Sequence, residues 1–148
     1  WETYSAGAAD AGLPQPDRDI WRIGRSIFID ESNDAAWDYA LDPEGAFYRS
    51  FDYLKAVLTG VNMLQLVKAD PDLPDEEVTA ESMIRDLCII GDVKSCTEQL
   101  QALWEATGGF GTLLMIEHDW DQRERWQRCM DLLAQKVVPA LPSLKTEN

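Results

Sequence analysis

Leu87-Cys88-Ile89-Ile90-Gly91-Asp92-Val93, followed further on by Gly108-Gly109-Phe110-Gly111 and Thr112-Leu113-Leu114-Met115-Ile116, is the stretch whose reading decides the fold. The run Leu87 to Ile90 is apolar, too brief for a helix and stopped by Gly91. It reads as a strand buried on both faces. Asp92 then supplies an N-cap for a helix whose apolar positions Val93, Cys96, Leu100 and Leu103 keep the spacing of three and four, and Gly108-Gly109 closes it. Thr112 to Ile116 is a second continuously apolar strand. Strand, helix, strand in this order predicts parallel strands joined by a right-handed helical crossover.

Outward from this unit the alternation continues in both directions. Trp21, Ile23, Ile27 and Ile29 share one face of an extended segment, with Arg25 the exception, and predict a further strand. Asn33 or Asp34 is expected to cap a short helix carrying Ala36, Trp37 and Ala40. Asp42-Pro43 reads as the start of another, with Phe47, Phe51, Leu54 and Leu58 on its apolar face up to Gly60. Between Lys68 and Asp86 the chain is acidic and punctuated by Pro71 and Pro74, which predicts an exposed loop leading into a short helix over 80–85. Asp121 with Glu124 three residues on resembles a capping box, opening a last helix faced by Trp126, Met130, Leu133 and Val137 and ended by Pro139 and Pro142. At the other end, Trp1, Tyr4, Ala8 and Ala11 recur at helical spacing before Gly12.

Composition narrows the function. The 148 residues suffice for one domain. A net charge of −14 repels phosphate backbones and anionic headgroups, which argues against nucleic-acid binding and membrane docking. Without an apolar run long enough for a bilayer or a signal peptide, the expected location is cytoplasmic. Three cysteines without a Cys-x-x-Cys pair point to reduced core thiols at Cys88, Cys96 and Cys129. His118 is the sole histidine, so no multi-histidine metal centre can form within the chain and no metal is expected.

Taken together, Ile90-Gly91-Asp92-Val93, Leu100-Gln101-Ala102-Leu103, Thr107 to Leu114 with its Gly-Gly-Phe-Gly loop, His118-Asp119-Trp120 and Val137-Val138-Pro139-Ala140-Leu141 resemble the C-terminal signature of the luciferase-like, flavin-dependent monooxygenases. Val93 departs from the Pro common in that family, and Val138 from its Met. The resemblance implies a TIM (β/α)8 barrel, of which this α/β, helix-rich chain carries about three βα units, the expected strands six, seven and eight. Residues 1–12 would be an outer helix, 21–60 a strand with helices, 61–86 an insertion or lid loop between the first two strands, and 87–148 the last two βα units. The activity implied is oxygenation of a small organic substrate with dioxygen and reduced FMN supplied by a separate flavin reductase, by a protein that forms a homo- or heterodimer. A deazaflavin-dependent hydride-transfer enzyme shares that barrel. A non-catalytic acidic binding or interaction module is the other reading.

In a barrel the active site lies at the carboxyl ends of the strands, here Asp30-Glu31, Gly91-Asp92 and Glu117 to Trp120. Glu117, His118 and Trp120 are the expected flavin or substrate pocket, with His118 a hydrogen-bond donor. The alternative for the same residues is that Asp119 or Asp121 caps the last helix, Trp120 staples it, and His118 sits at the rim. No principal catalytic residue and no FMN phosphate site is named by this sequence. Gly108-Gly109-Phe110-Gly111 precedes a strand and lacks the spacing of a phosphate cradle, so it reads as a helix C-cap. Trp37, Trp104 and Trp126 read as packing anchors.

Overall fold

The computed structural model describes residues 1–141; Pro142, expected to help end the last helix, lies outside the described residues. Three parallel strands, β1 (Arg22–Ile29), β2 (Ile89–Gly91) and β3 (Thr112–Ile116), form one sheet in the order β2-β1-β3. The helices are α1 (Glu2–Asp10), α2 (Asn33–Ala40), α3 (Ala46–Gly60), α4 (Ala80–Leu87), α5 (Val93–Thr107) and α6 (Arg123–Leu132). From α6 a π-helical turn over Leu133–Val137 runs into a last helical turn, α7 (Val138–Ala140).

β1 carries the sheet on both edges. Its upper half pairs with β2, Ile27 opposite Ile89 and Ile29 opposite Gly91, and its lower half with β3, Arg22 opposite Thr112 and Ser26 opposite Ile116. Strands six, seven and eight in successive winding would place the second strand in the middle, so that expectation takes a correction: the first strand is central. The physical reason lies in β2, which has three residues and whose outer edge is closed by a side chain. Gln99 of α5 accepts a hydrogen bond from the Ile90 amide at 3.3 Å and donates to the Ile90 carbonyl at 2.8 Å, satisfying the groups another strand would have taken.

From Ser26 to Ile29 every residue of β1 is buried, so this strand is covered on both faces where a one-sided strand was expected. Phe28 stacks on Tyr39 at 4.2 Å between ring centroids and meets Trp126 edge-on at 5.1 Å, and Phe47 joins the same cluster. Trp126 has no exposed surface, as its reading as an anchor implies. β3 departs the other way: Leu114 and Ile116, expected to be buried, are 49% and 46% exposed.

Local chemistry set some helix ends and tertiary bonds others. Asp92 caps α5 through the Ser95 amide at 2.8 Å, and Gly108 closes it in the left-handed conformation, both as the sequence implies. The cap of α2 is Ser32, not Asn33 or Asp34, because Asn33 turns its side chain to accept from the Asp92 amide. Asp42 caps a tight turn, and α3 begins at Ala46 rather than at Pro43. Asp121 forms no capping box; its carboxylate is taken by the Tyr39 hydroxyl at 2.7 Å and the Ala46 amide at 3.3 Å. Nor does Pro139 end the last helix: at the start of α7 its missing N–H falls where a helix leaves donors free. Between α3 and β2, Leu64, Val78, Ala80, Met83 and Ile84 are buried, so 61–86 is pinned to the core.

Two glycines are required by close approach. Gly91 has φ +151°, and a Cβ there would lie 2.5 Å from Asn33 Oδ1; at Gly111 a Cβ would lie 1.7 Å from the Asp19 carbonyl oxygen. Gly111→Ala should therefore destabilise the fold by about 2–3 kcal/mol through backbone displacement at the base of β1 and β3. Gly7→Ala, in open space on α1, should be neutral or stabilising by about 0.5 kcal/mol. Urea denaturation of both variants distinguishes them, and equal effects would contradict this packing.

Candidate site at the carboxyl ends of the strands

At the top of the sheet the side chains divide into an arginine–carboxylate layer above β1 and a cluster around His118 above β3. Asp30, 6% exposed, ends β1 and receives Arg125, whose Nε lies 3.0 Å from Oδ2 and whose terminal nitrogen closes a second contact to the same oxygen. Arg125 also donates to the Ala35 carbonyl at 3.0 Å, and its guanidinium lies 4.8 Å from the Tyr39 ring centroid. Arg128 pairs with Glu31 at 2.8 Å. These two cations are matched by the two carboxylates of the strand end, which leaves neither as an unpaired anion receptor.

The cluster around His118 is built by the pairing of β1 with β3. Ser26 stands opposite Ile116, and His118 follows two residues beyond, so strand alternation sends Ile116 and His118 to the face of Ser26. Ser26 Oγ and His118 Nε2 are 3.1 Å apart. The imidazole is wedged edge-on between Phe47, 4.9 Å away, and Phe51, 5.2 Å away. Burial among these rings lowers its pKa below the ordinary 6.5 and holds it neutral. Below His118, Leu114 and Ile116 lay a partly exposed apolar floor along β3.

Of the three residues read from the sequence, His118 packs against Ser26, Phe47 and Phe51, whereas Glu117 and Trp120 pair with each other, the indole N–H donating to the Glu117 carboxylate. Trp120 is 41% exposed and Asp119 binds the Trp120 amide, so neither caps nor staples α6. Ser26 was missed: a lone serine in a strand carries no signal, and its partner is 92 residues away. The three thiols are buried, with Cys88 and Cys96 pushed up to about 12 and Cys129 to about 11 by desolvation. No cluster of three or more His, Cys, Asp or Glu that could hold a metal occurs among the described residues, and no helix among them is long and apolar enough to cross a membrane.

No protein-family model matches the chain. Among curated proteins it is similar to 3,6-diketocamphane 1,6-monooxygenase of Pseudomonas putida, 28% identical over 143 residues that make up 95% of this chain and 37% of the relative. It is also similar to 4-hydroxyprotoasukamycin monooxygenase of Streptomyces nodosus subsp. asukaensis, 30% identical over 139 residues, 94% of this chain and 35% of that one. Among solved structures it matches the oxygenating constituent of 3,6-diketocamphane monooxygenase from the CAM plasmid of Pseudomonas putida, a type II Baeyer-Villiger monooxygenase in complex with FMN. That match has a TM-score of 0.81 and 28% identity, and covers 98% of this chain and 40% of that chain. The homologues are thus flavin monooxygenases of luciferase-like fold, as the sequence resemblance implied. The chain spans little more than a third of the length of the curated relatives it matches.

Two outcomes check the site. Asp30→Asn removes the charge that Arg125 answers and should cost about 3 kcal/mol, against near zero for the exposed Glu31→Gln; equal losses in urea would contradict the buried pairing. His118 has a folded pKa below its unfolded 6.5, so the unfolded chain binds more protons and stability falls as pH drops through 6.5 toward the folded value. His118→Gln should flatten that part of the pH–stability curve, and an unchanged slope would contradict it.

Proposed function

We propose that the chain is the C-terminal portion, about three βα units, of a barrel-type FMN-dependent monooxygenase that oxygenates a small organic substrate with dioxygen and reduced FMN from a separate reductase. What carries the reading is the alignment of nearly the whole chain with an FMN-bound oxygenating subunit at TM-score 0.81. The diketocamphane relative favours a cyclic ketone as substrate. FMN, when bound, supplies the electrons that activate dioxygen.

The residues present fit part of that cofactor. A neutral imidazole beside a serine hydroxyl, above the apolar floor of Leu114 and Ile116, offers hydrogen bonding without net charge, which suits the uncharged edge and face of a flavin ring or a ketone. The phosphate has no counterpart in Arg125 and Arg128, both paired to carboxylates. In this reading His118 orients a ligand by a hydrogen bond, Phe47 and Phe51 exclude water from its ring, and the ionic layer above β1 keeps α6 in place. Glu117 and Trp120 form the outer wall of the same site, and 61–86, held to the core by Leu64, Val78, Met83 and Ile84, is a fixed cover rather than a loose lid.

The gene product carrying this chain, mixed with a flavin reductase, NADH, FMN and a bicyclic diketone, should consume oxygen and yield the lactone. His118→Ala should lower turnover about tenfold, the loss of one well-placed hydrogen bond. No flavin-dependent oxygen uptake coupled to a lactone would overturn the proposal.

A further inference from the structure

His118 and Asp121 lie on one short loop, between the end of β3 at Ile116 and the start of α6 at Arg123. Both reach α3. The imidazole lies between Phe47 and Phe51, with ring centroids 4.9 Å and 5.2 Å away, and Asp121 Oδ2 accepts from the Ala46 amide at 3.3 Å. Ala46 is the first residue of α3, directly before Phe47, and Phe51 follows Phe47 by about one turn. A closed circuit results: along the loop from His118 to Asp121, across a hydrogen bond to Ala46, on to Phe47, and back to His118 by a ring contact.

Asp121 does for α3 what the helix cannot do for itself. The N-cap of α3 is Gly45, which has no side chain to accept from the first turn. The second carboxylate oxygen, Oδ1, accepts from the Tyr39 hydroxyl at 2.7 Å and from the Gln122 amide at 2.8 Å. Tyr39 in turn accepts from Trp126 Nε1 at 2.9 Å. One carboxylate therefore fixes the loop to α2 and α3 and, through Trp126, to α6. The other carboxylates of the loop are engaged elsewhere, Glu117 by the Trp120 indole and Asp119 by the Trp120 amide.

We propose that Asp121 is a positioning residue for His118: by clasping the loop to the first turn of α3, it keeps the imidazole between Phe47 and Phe51 and beside Ser26 at the carboxyl end of β3. That the positioned ring orients a ligand rests on the proposed function; the clasp does not. Two effects of opposite sign make the clasp visible. Burial lowers the His118 pKa. Deleting a carboxylate near an imidazole lowers it further, because an anion favours the imidazolium, whereas release of the ring to water raises it toward 6.5. A rise on deleting Asp121 therefore reports release of the ring and not lost charge.

The test is an NMR pH titration of the histidine ring protons in the gene product carrying this chain, with His118→Gln identifying the His118 signals by their loss. Asp121→Ala should raise the His118 pKa from its wild-type value to about 6.5. Ala46→Pro deletes the amide that Asp121 accepts, at a first helical position that suits proline and after a residue already extended, and should give the same rise where Asp121→Ala fails to fold. Tyr39→Phe spares the bond from Ala46 to Asp121 and should leave the pKa unchanged. An unchanged or lower pKa in the first two variants, or an equal rise in Tyr39→Phe, overturns the proposal. In turnover with a flavin reductase, NADH, FMN and a bicyclic diketone, Asp121→Ala should slow the wild type yet add no loss to His118→Ala. Equal losses in both backgrounds overturn action through His118. A pKa rise in a protein without flavin-dependent oxygen uptake upholds the clasp and counts against the flavin monooxygenase reading alone.

Discussion

Every other feature depends on the hydrogen bonding of β1 along both of its edges. β2 and β3 do not pair with each other, and the strand partner of each is β1, at different heights. Where β3 has ended, the upper edge is not left open: the Ile29 amide donates to Cys129 Sγ at 3.1 Å, so α6 finishes what a longer strand would have satisfied. The same device closes the outer edge of β2 through Gln99. A three-stranded sheet thereby keeps the upper half of its central strand, Ser26 to Ile29, buried although its neighbours are short. The exposed exception is the face of β3 at Leu114 and Ile116, beneath His118.

That arrangement separates charge from chemistry. With a net charge of −14, carboxylates crowd the molecule, and those at the end of β1 would repel one another if unmatched. Arg125 and Arg128 neutralise them, and Arg125 also lies over Phe28 and Tyr39, which ties the ionic layer to the aromatic core. The Tyr39 hydroxyl carries the tie further, donating to Asp121 and accepting from Trp126 Nε1 at 2.9 Å; its pKa is raised, first by burial and then by Asp121. At the end of β3, His118 meets the Ser26 hydroxyl and the Phe47 and Phe51 rings, while the flanking Glu117 carboxylate is taken by the Trp120 indole and that of Asp119 by the Trp120 amide.

The legible parts of the fold were those decided within a few residues. Asp92 as a cap, Gly108 as a stop and the three strands follow from spacing and backbone preference, and the structure has them. Asn33, Asp42 and Asp121 were legible as polar groups seeking amides but not as to which amide, because Asp92 N, Glu44 N and the Tyr39 hydroxyl are tertiary or turn partners that local pattern does not reveal. Strand order escaped for the same reason: apolar runs mark strands but carry no label for the neighbour chosen. At the site, His118 stood out by being the sole histidine, whereas Ser26 acquires meaning only once Ile116 is set opposite it. Glu117 and Trp120 were grouped with His118 by adjacency, and what local pattern did not reveal is that these two pair with each other, the indole N–H donating to the Glu117 carboxylate.

Hydrogen–deuterium exchange of the gene product carrying this chain, with and without FMN, tests most directly whether the ends of β1 and β3 face the flavin. The account predicts that FMN slows exchange in the peptides spanning Ser26 to Glu31 and Ile116 to Trp120 and leaves α1 unchanged. Protection confined to other segments, with these two unaffected, would contradict it.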